Sequence, residues 1–106
     1  MTSTSITFIQ HGIIFLKLNW SDAAQWAHPK LVTFLKQHNI PSEELQIFDT
    51  DEHSELYDLP ELAGKIHGWG EAFVIRDGRI VHFARLGKDK HLIQMHLNEL
   101  MRVYAA

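Results

Sequence analysis

The tightest constraint on this chain is one junction. The run Ile13 to Leu18, apolar except for Lys17, leads straight into Trp20-Ser21-Asp22-Ala23-Ala24-Gln25-Trp26-Ala27-His28-Pro29. A short continuous apolar run reads as a strand buried on both faces, and therefore as a central strand. Ser21 or Asp22 then supplies a side-chain oxygen for the free N–H groups of a helix's first turn. A helix is predicted from Ala23 to His38, because Ala27, Leu31, Phe34 and Leu35 follow the i, i+4, i+7, i+8 spacing of one buried face. Pro29 falls inside that helix and removes one backbone donor, which predicts a kink near the second turn. Asn39 and Pro41 end the helix.

The rest of the chain sorts around this unit. Ile6 to Gln10 reads as a short preceding strand, broken by His11-Gly12. After the solvated Ser42-Glu43-Glu44, Leu45 to Asp49 reads as a second strand, parallel to the first because a helix of crossover length joins them. Thr50 to His53 is an acidic loop. Ser54 to Ile66 reads as helical on Leu56, Leu59, Leu62 and Ala63, either as one piece or as two short pieces divided at Pro60. His67-Gly68-Trp69-Gly70 is a loop, and Glu71 to Ile75 is a strand. Asp77-Gly78 is the strongest hairpin signal in the chain, turning into a return strand at Ile80 to Leu86. A last helix is expected from Lys90 to Tyr104, with Leu92, Met95 or His96, Leu100 and Val103 inward. The expected architecture is a single α/β domain over residues 1–106, a central mixed sheet with three helices on its two faces, ending in a β-hairpin and a helix.

Composition narrows the chemistry. The 106 residues include no cysteine. That excludes disulfides, thiolate nucleophiles and thiolate zinc sites, and it fits a cytoplasmic protein. The net charge is −3 and the ten Lys and Arg residues are scattered singly, which argues against a dedicated nucleic-acid binder. The first five residues lack a basic segment, and no run approaches the roughly 18 apolar residues that span a bilayer. Neither a signal peptide nor a membrane partner is expected.

In two places the chain resembles the thioredoxin family. The family's Trp-Cys-Gly-Pro-Cys-Lys pattern is matched in register by Trp20-Ser21-Asp22-Ala23-Ala24-Gln25, and Pro29 falls where the family's kinking proline belongs. The family's second pattern runs from a hydrophobic residue, through Gly, a cis-proline and Thr, to a hairpin glycine. It is matched by Ile66-His67-Gly68-Trp69-Gly70-Glu71 and onward to Gly78. The resemblance covers about Ile13 to Leu100, with extra residues around Asp51 to Pro60. It departs where the family does its chemistry: Ser21 and Ala24 replace the two cysteines, Gly70 replaces the cis-proline, and the family's buried acid falls at about Phe15. Disulfide exchange needs an attacking thiolate, so dithiol oxidoreductase activity is excluded. The bond before Gly70 is expected to be trans, since cis without proline costs about 2.5–4 kcal/mol.

Three groups of residues are candidate sites. Ser21 is either a hydroxyl nucleophile or a helix N-cap; a nucleophile needs an adjacent base, and no histidine is tied to it by spacing. The N-cap is the favoured reading. Trp20, Ser21, Asp22, Trp69, Gly70 and Glu71 form the second group. The resemblance implies that their two loops adjoin and that the face docks extended polypeptide, with the tryptophans as anchors and Asp22 and Glu71 as exposed acidic neighbours. The eight histidines form the third. No pair shows the i, i+4 spacing of helical metal ligands, so neither a metal nor another cofactor is expected, and a mild pH response is the simpler role. Trp26, Phe34 and Phe48 are assigned to the core.

The expected function is a redox-inactive, non-enzymatic protein-binding module (a chaperone, assembly factor or adaptor) that holds a protein or peptide partner on the former active-site face. The alternatives are a small-molecule-binding or hydrolytic enzyme using Ser21 or a histidine, and a self-association module, a homodimer being left open.

Overall fold

The computed structural model describes residues 10–58, 60–62 and 64–106. Of the expected N-terminal strand only Gln10 is among them, so that expectation, like the inward placement of Leu59 and Ala63, lies outside the described residues. Among the described residues, strand β1 (His11–Lys17) is followed by helix α1 (Asp22–Gln37), β2 (Leu45–Asp49), β3 (Glu71–Arg76), β4 (Arg79–Arg85) and α2 (Ile93–Ala105). The sheet order is β2-β1-β3-β4. β1 pairs in parallel with β2 and antiparallel with β3, and β3 and β4 form the hairpin. The central position of β1 and its parallel pairing are as the sequence reads.

Side-chain alternation along β1 and β3 builds a core on each face of the sheet. Ile13, Phe15, Ala72 and Val74 face α1 and α2, where they meet Ala27, Leu31, Phe34, Leu35, Ile93, Leu97 and Leu100. Ile14, Leu16, Phe73 and Ile75 face the other way, against Leu56, Leu62 and Ile66. Phe34 and Phe48 are buried, and Trp26 packs half-buried against the first core. Asp77 and Gly78 carry φ of 54° and 75°, the left-handed pair that a two-residue hairpin turn requires. The pairing shifts from Val74↔His82 to Ile75↔Ile80, so Val81 is an extra residue that bulges β4.

One expectation is narrowed and one is corrected. The third helix is two 3₁₀ turns, Ser54–Asp58 and Pro60–Leu62. Pro60 cannot supply the N–H that a continuous α-helix would need there, which leaves the interrupted form of the two the sequence allowed. The last helix begins at Ile93, not Lys90. Asp89 Oδ1 accepts from the amides of His91 and Leu92 at 2.7 and 3.2 Å, which holds the chain in a turn. The buried face then falls on Ile93, Leu97 and Leu100, and Leu92 and Met95 are exposed.

Candidate functional site

The site sits at the C-terminal end of β1, where the strand runs into α1. Ser21 is the N-cap: its backbone is extended (φ −101°, ψ 116°) and its Oγ accepts from the Ala24 amide at 3.0 Å. The same hydroxyl donates to the carbonyl of Gly68, so one buried side chain satisfies the helix end and ties the second loop to it. The Trp20 ring lies over Gly68. A Cβ at Gly68 would fall 2.6 Å from Trp20 Cη2, closer than side chains approach, so only glycine fits beneath the ring. Gly70 is confined in the same way from below, since its Cβ would meet the Ala27 methyl at 3.0 Å. Its φ of +72° is glycine backbone, and every peptide bond among the described residues is trans, as expected without the proline.

Glu71 is where the structure departs most from the expected site. It is 0% exposed and does not reach the surface as an acidic neighbour. Its Oε2 accepts from the amides of His67 at 3.0 Å and Trp69 at 3.2 Å. Strand alternation explains the placement: Glu71 shares the side of β3 that carries Phe73 and Ile75. Its carboxylate closes the loop from within, and nothing in an isolated sequence marks a glutamate after Gly-Trp-Gly as turned inward.

The loop from His67 to Gly70 is therefore held at most of its main-chain polar groups. Besides the Glu71 and Ser21 contacts, Trp69 O accepts from Gly87 N at 2.7 Å and Gly70 O accepts from Leu86 N at 3.0 Å. The side chains point the other way: Trp20 is 67% and Trp69 53% exposed. The two loops adjoin through the Ser21–Gly68 contact, and Asp22 is exposed beside them. Of the six expected residues, Trp20, Asp22 and Trp69 thus lie at the surface. Ser21, Gly70 and Glu71 lie beneath it as the scaffold.

A second group missing from the sequence reading flanks Trp20. Asn19 Nδ2 donates to Asp49 Oδ2 at 3.1 Å and Asp51 Oδ2 at 3.4 Å, and Asn19 O accepts from Gln25 Nε2 at 2.7 Å. Asp49 ends β2, the neighbour of β1, so parallel pairing is what brings these carboxylates to the residue before Trp20.

The histidines do not gather here. His28 stacks on Phe15 with ring centroids 5.4 Å apart, and burial, helped by the Lys17 charge, holds its pKa below the usual value. His82 lies under α2, its Nε2 buried without a hydrogen-bond partner. Its pKa is also lowered, mainly by burial; Glu99 opposes the shift and Arg102 adds to it. Among the described residues no three His, Asp or Glu side chains are grouped to hold a metal ion, and no helix is long and apolar enough to cross a membrane. Among the described residues two grooves lie away from Ser21: one between α1 and α2 is lined by Pro29, Phe34, Ile93 and Leu97, and one beside β2 by Val32, Leu35, Ile40 and Ile47.

No family model matches the chain, and no curated protein sequence does. Its structure is similar to the solution structure of desulfothioredoxin from Desulfovibrio vulgaris Hildenborough in its reduced form. The TM-score is 0.55 at 16% identity, over 89% of this chain and 85% of that one. At this identity the likeness speaks for the fold alone. The chain has a thioredoxin-like fold that carries no cysteine.

Proposed function

We propose that this chain is a non-enzymatic module that binds a polypeptide partner on the face formed by the Trp20–Asp22 and His67–Glu71 loops. The observation that carries the reading is the pair of exposed tryptophans on two loops fastened from below, 67% and 53% exposed respectively. Large aromatic side chains on a rigid support lose little conformational entropy on docking, and such residues dominate interface energetics. The reading also accounts for Ser21 Oγ and Glu71 Oε2, which spend their hydrogen bonds on main-chain atoms, while Glu71 Oε1 is buried without a partner. No observation favours a hydrolytic site: the Ser21 hydroxyl is committed to Gly68 O and Ala24 N, and an activated serine needs a base within hydrogen-bond reach.

The test is photo-crosslinking in native lysate. A photoreactive residue is placed at Asp22 in the wild-type background and in a Trp20→Ala, Trp69→Ala background. Crosslinked species present in the first and lost in the second support the reading, and mass spectrometry identifies them. The same species in both backgrounds would sink it. Glu71 is not varied here, because replacing a buried carboxylate would disturb the loop itself. Crosslinks found only between two copies of the chain would replace the reading with self-association.

A further inference from the structure

Building on that reading, we infer that the partner presents a basic side chain, arginine foremost, to the Trp20 half of the face, and that it is held through side chains with no strand added to the His67–Gly70 loop. Two independent observations lead there. The first is the state of the main chain. Strand addition needs free amides and carbonyls on the receiving segment. Here the Trp69 amide is given to Glu71 Oε2 and the Trp69 carbonyl to Gly87 N. The Gly68 and Gly70 carbonyls go to Ser21 Oγ and Leu86 N, and the His67 amide goes to Glu71 Oε2. Five of the eight main-chain polar groups of His67–Gly70 are thus taken, both groups of Trp69 among them, so the loop does not offer a continuous open edge.

The second observation is the charge around Trp20. Only the far rim of its ring rests on Gly68, and the residue is 67% exposed. Exposed Asp22 follows two residues later, and Asn19, the residue before it, holds the carboxylates of Asp49 and Asp51. Two cations are turned elsewhere: Lys65 and Arg85 lie against the Phe83 ring at 5.6 and 5.9 Å. Lys17 stands opposite Asp49 in the β1–β2 register, and its charge also acts on His28, so the acidic balance beside Trp20 rests on Asp22 and Asp51. Lys88 follows Gly87, which bonds Trp69, so the basic group belongs to the Trp20 half. An exposed indole with Asp22 two residues on, and with Asp49 and Asp51 tied to the residue before it, favours a cation over a neutral apolar group, and indole is the best aromatic partner for one. The planar guanidinium stacks on the ring and also pairs with a carboxylate, which an ammonium does less well.

The experiment is an NMR titration of the nitrogen-15-labelled full chain, followed at the Trp20 and Trp69 indole N–H signals. Three blocked peptides serve as probes: one with two arginines in a Gly-Ser background, its citrulline counterpart, and the arginine peptide N-methylated on alternate amides. The arginine peptide is expected to shift the Trp20 indole and saturate, and the citrulline peptide to bind about five- to tenfold more weakly. The N-methylated peptide should stay within about twofold of its parent, since no main-chain pairing is lost. Trp20→Ala should abolish saturation, and Asp22→Asn with Asp51→Asn should weaken binding while leaving the remaining spectrum folded. Equal binding of the citrulline peptide, or loss of binding on N-methylation, overturns the inference. If no arginine peptide binds while the photo-crosslinked species still require the tryptophans, this inference falls and the binding-module reading stands. If the crosslinks also survive without the tryptophans, both fall.

Discussion

The two ends of β1 solve the same problem with opposite materials. At its C-terminal end, buried Ser21 and Glu71 bond main-chain atoms of the neighbouring loop, and two tryptophans are left outside. At its N-terminal end, most of the contacts run between side chains. Glu44 Oε1 accepts from Tyr104 at 2.5 Å and contacts His11 Nδ1 at 3.0 Å, the Tyr104 ring lies tilted against His11 with centroids 5.0 Å apart, and Arg76 donates to the Val103 carbonyl. That arrangement fastens the end of α2 to the sheet and uses up its aromatic ring in doing so. The first arrangement holds a loop still while leaving aromatic surface unspent. The difference separates an end built to present side chains from one built to close the domain.

The largest test of this contrast is Glu71→Leu. It removes the acceptor of two loop amides from a fully buried position. Leaving such groups unpaired costs about 1–3 kcal/mol each, so urea unfolding should show a loss of about 3 kcal/mol. Glu71→Gln keeps an oxygen acceptor and should lose about 1 kcal/mol. A neutral Glu71→Leu would mean the loop is held by something else. Ser21→Ala comes next: it removes the N-cap and the donor to Gly68 together, for about 1.5 kcal/mol. At the opposite end Tyr104→Phe should cost about 1 kcal/mol. The Tyr104 pKa, pushed up to about 12 by burial and then by Glu44, should return toward ordinary values in a Glu44→Gln variant, read by ultraviolet titration. If Tyr104→Phe also perturbed the Trp20 and Trp69 indole signals, the two ends would not be separate units.

What could be read from the sequence follows from what is local. The β1–α1 junction, the Asp77–Gly78 turn and the N-cap at Ser21 are set by neighbours within a few residues, and all three stand where the sequence places them. The adjoining of the two loops came through the family resemblance. α2 starts three residues later than the apolar pattern predicts, because Leu92 and Met95 continue that pattern into a turn governed by the Asp89 side chain. The burial of Glu71 was out of reach because its partners are backbone amides, which every residue but proline possesses, so no residue type announces them. Likewise the Asn19, Asp49 and Asp51 cluster exists only once β2 lies beside β1.

Acid should sharpen the contrast further, because the lowered histidines belong to neither end. His28 and His82 face the core shared by α1 and α2, and burial is the first cause in both. Each binds its proton more readily in the unfolded chain, so the unfolded state gains protons first as pH falls below about 6.5. Stability is therefore full above that value, declines as pH drops from the unfolded pKa toward the lowered folded one, and stays reduced below it. Glu99, held ionised to lower pH by its Arg102 hydrogen bond, partly offsets the charging of His82. Between pH 7 and 5.5 the chain should lose stability by urea titration, and His82→Gln should flatten the slope. An unchanged slope in His82→Gln and His28→Gln would remove burial as the cause.

The smallest expected effect on stability is the most telling. Trp20→Ala and Trp69→Ala each delete a large aromatic side chain, a change that in a core costs about 3–5 kcal/mol. Here both residues are more than half exposed, and the loop beneath is held by Ser21 and Glu71. The expected loss is below about 0.5 kcal/mol for each, the range of surface substitutions. Gly68→Ala sets the complementary condition: it keeps both tryptophans, but it puts a side chain on a residue at φ +77° and a methyl 2.6 Å from the Trp20 ring, so it should displace that ring and, through the backbone strain, cost more stability than deleting it. If Trp20→Ala instead destabilised the fold by several kcal/mol, the tryptophan would be fastening the domain in the manner of Tyr104. The face at the C-terminal end of β1 would then be a second closure, with nothing left to offer a partner. A tryptophan that can be removed without loss of fold, on a loop held rigidly beneath it, has only its surroundings left to act on.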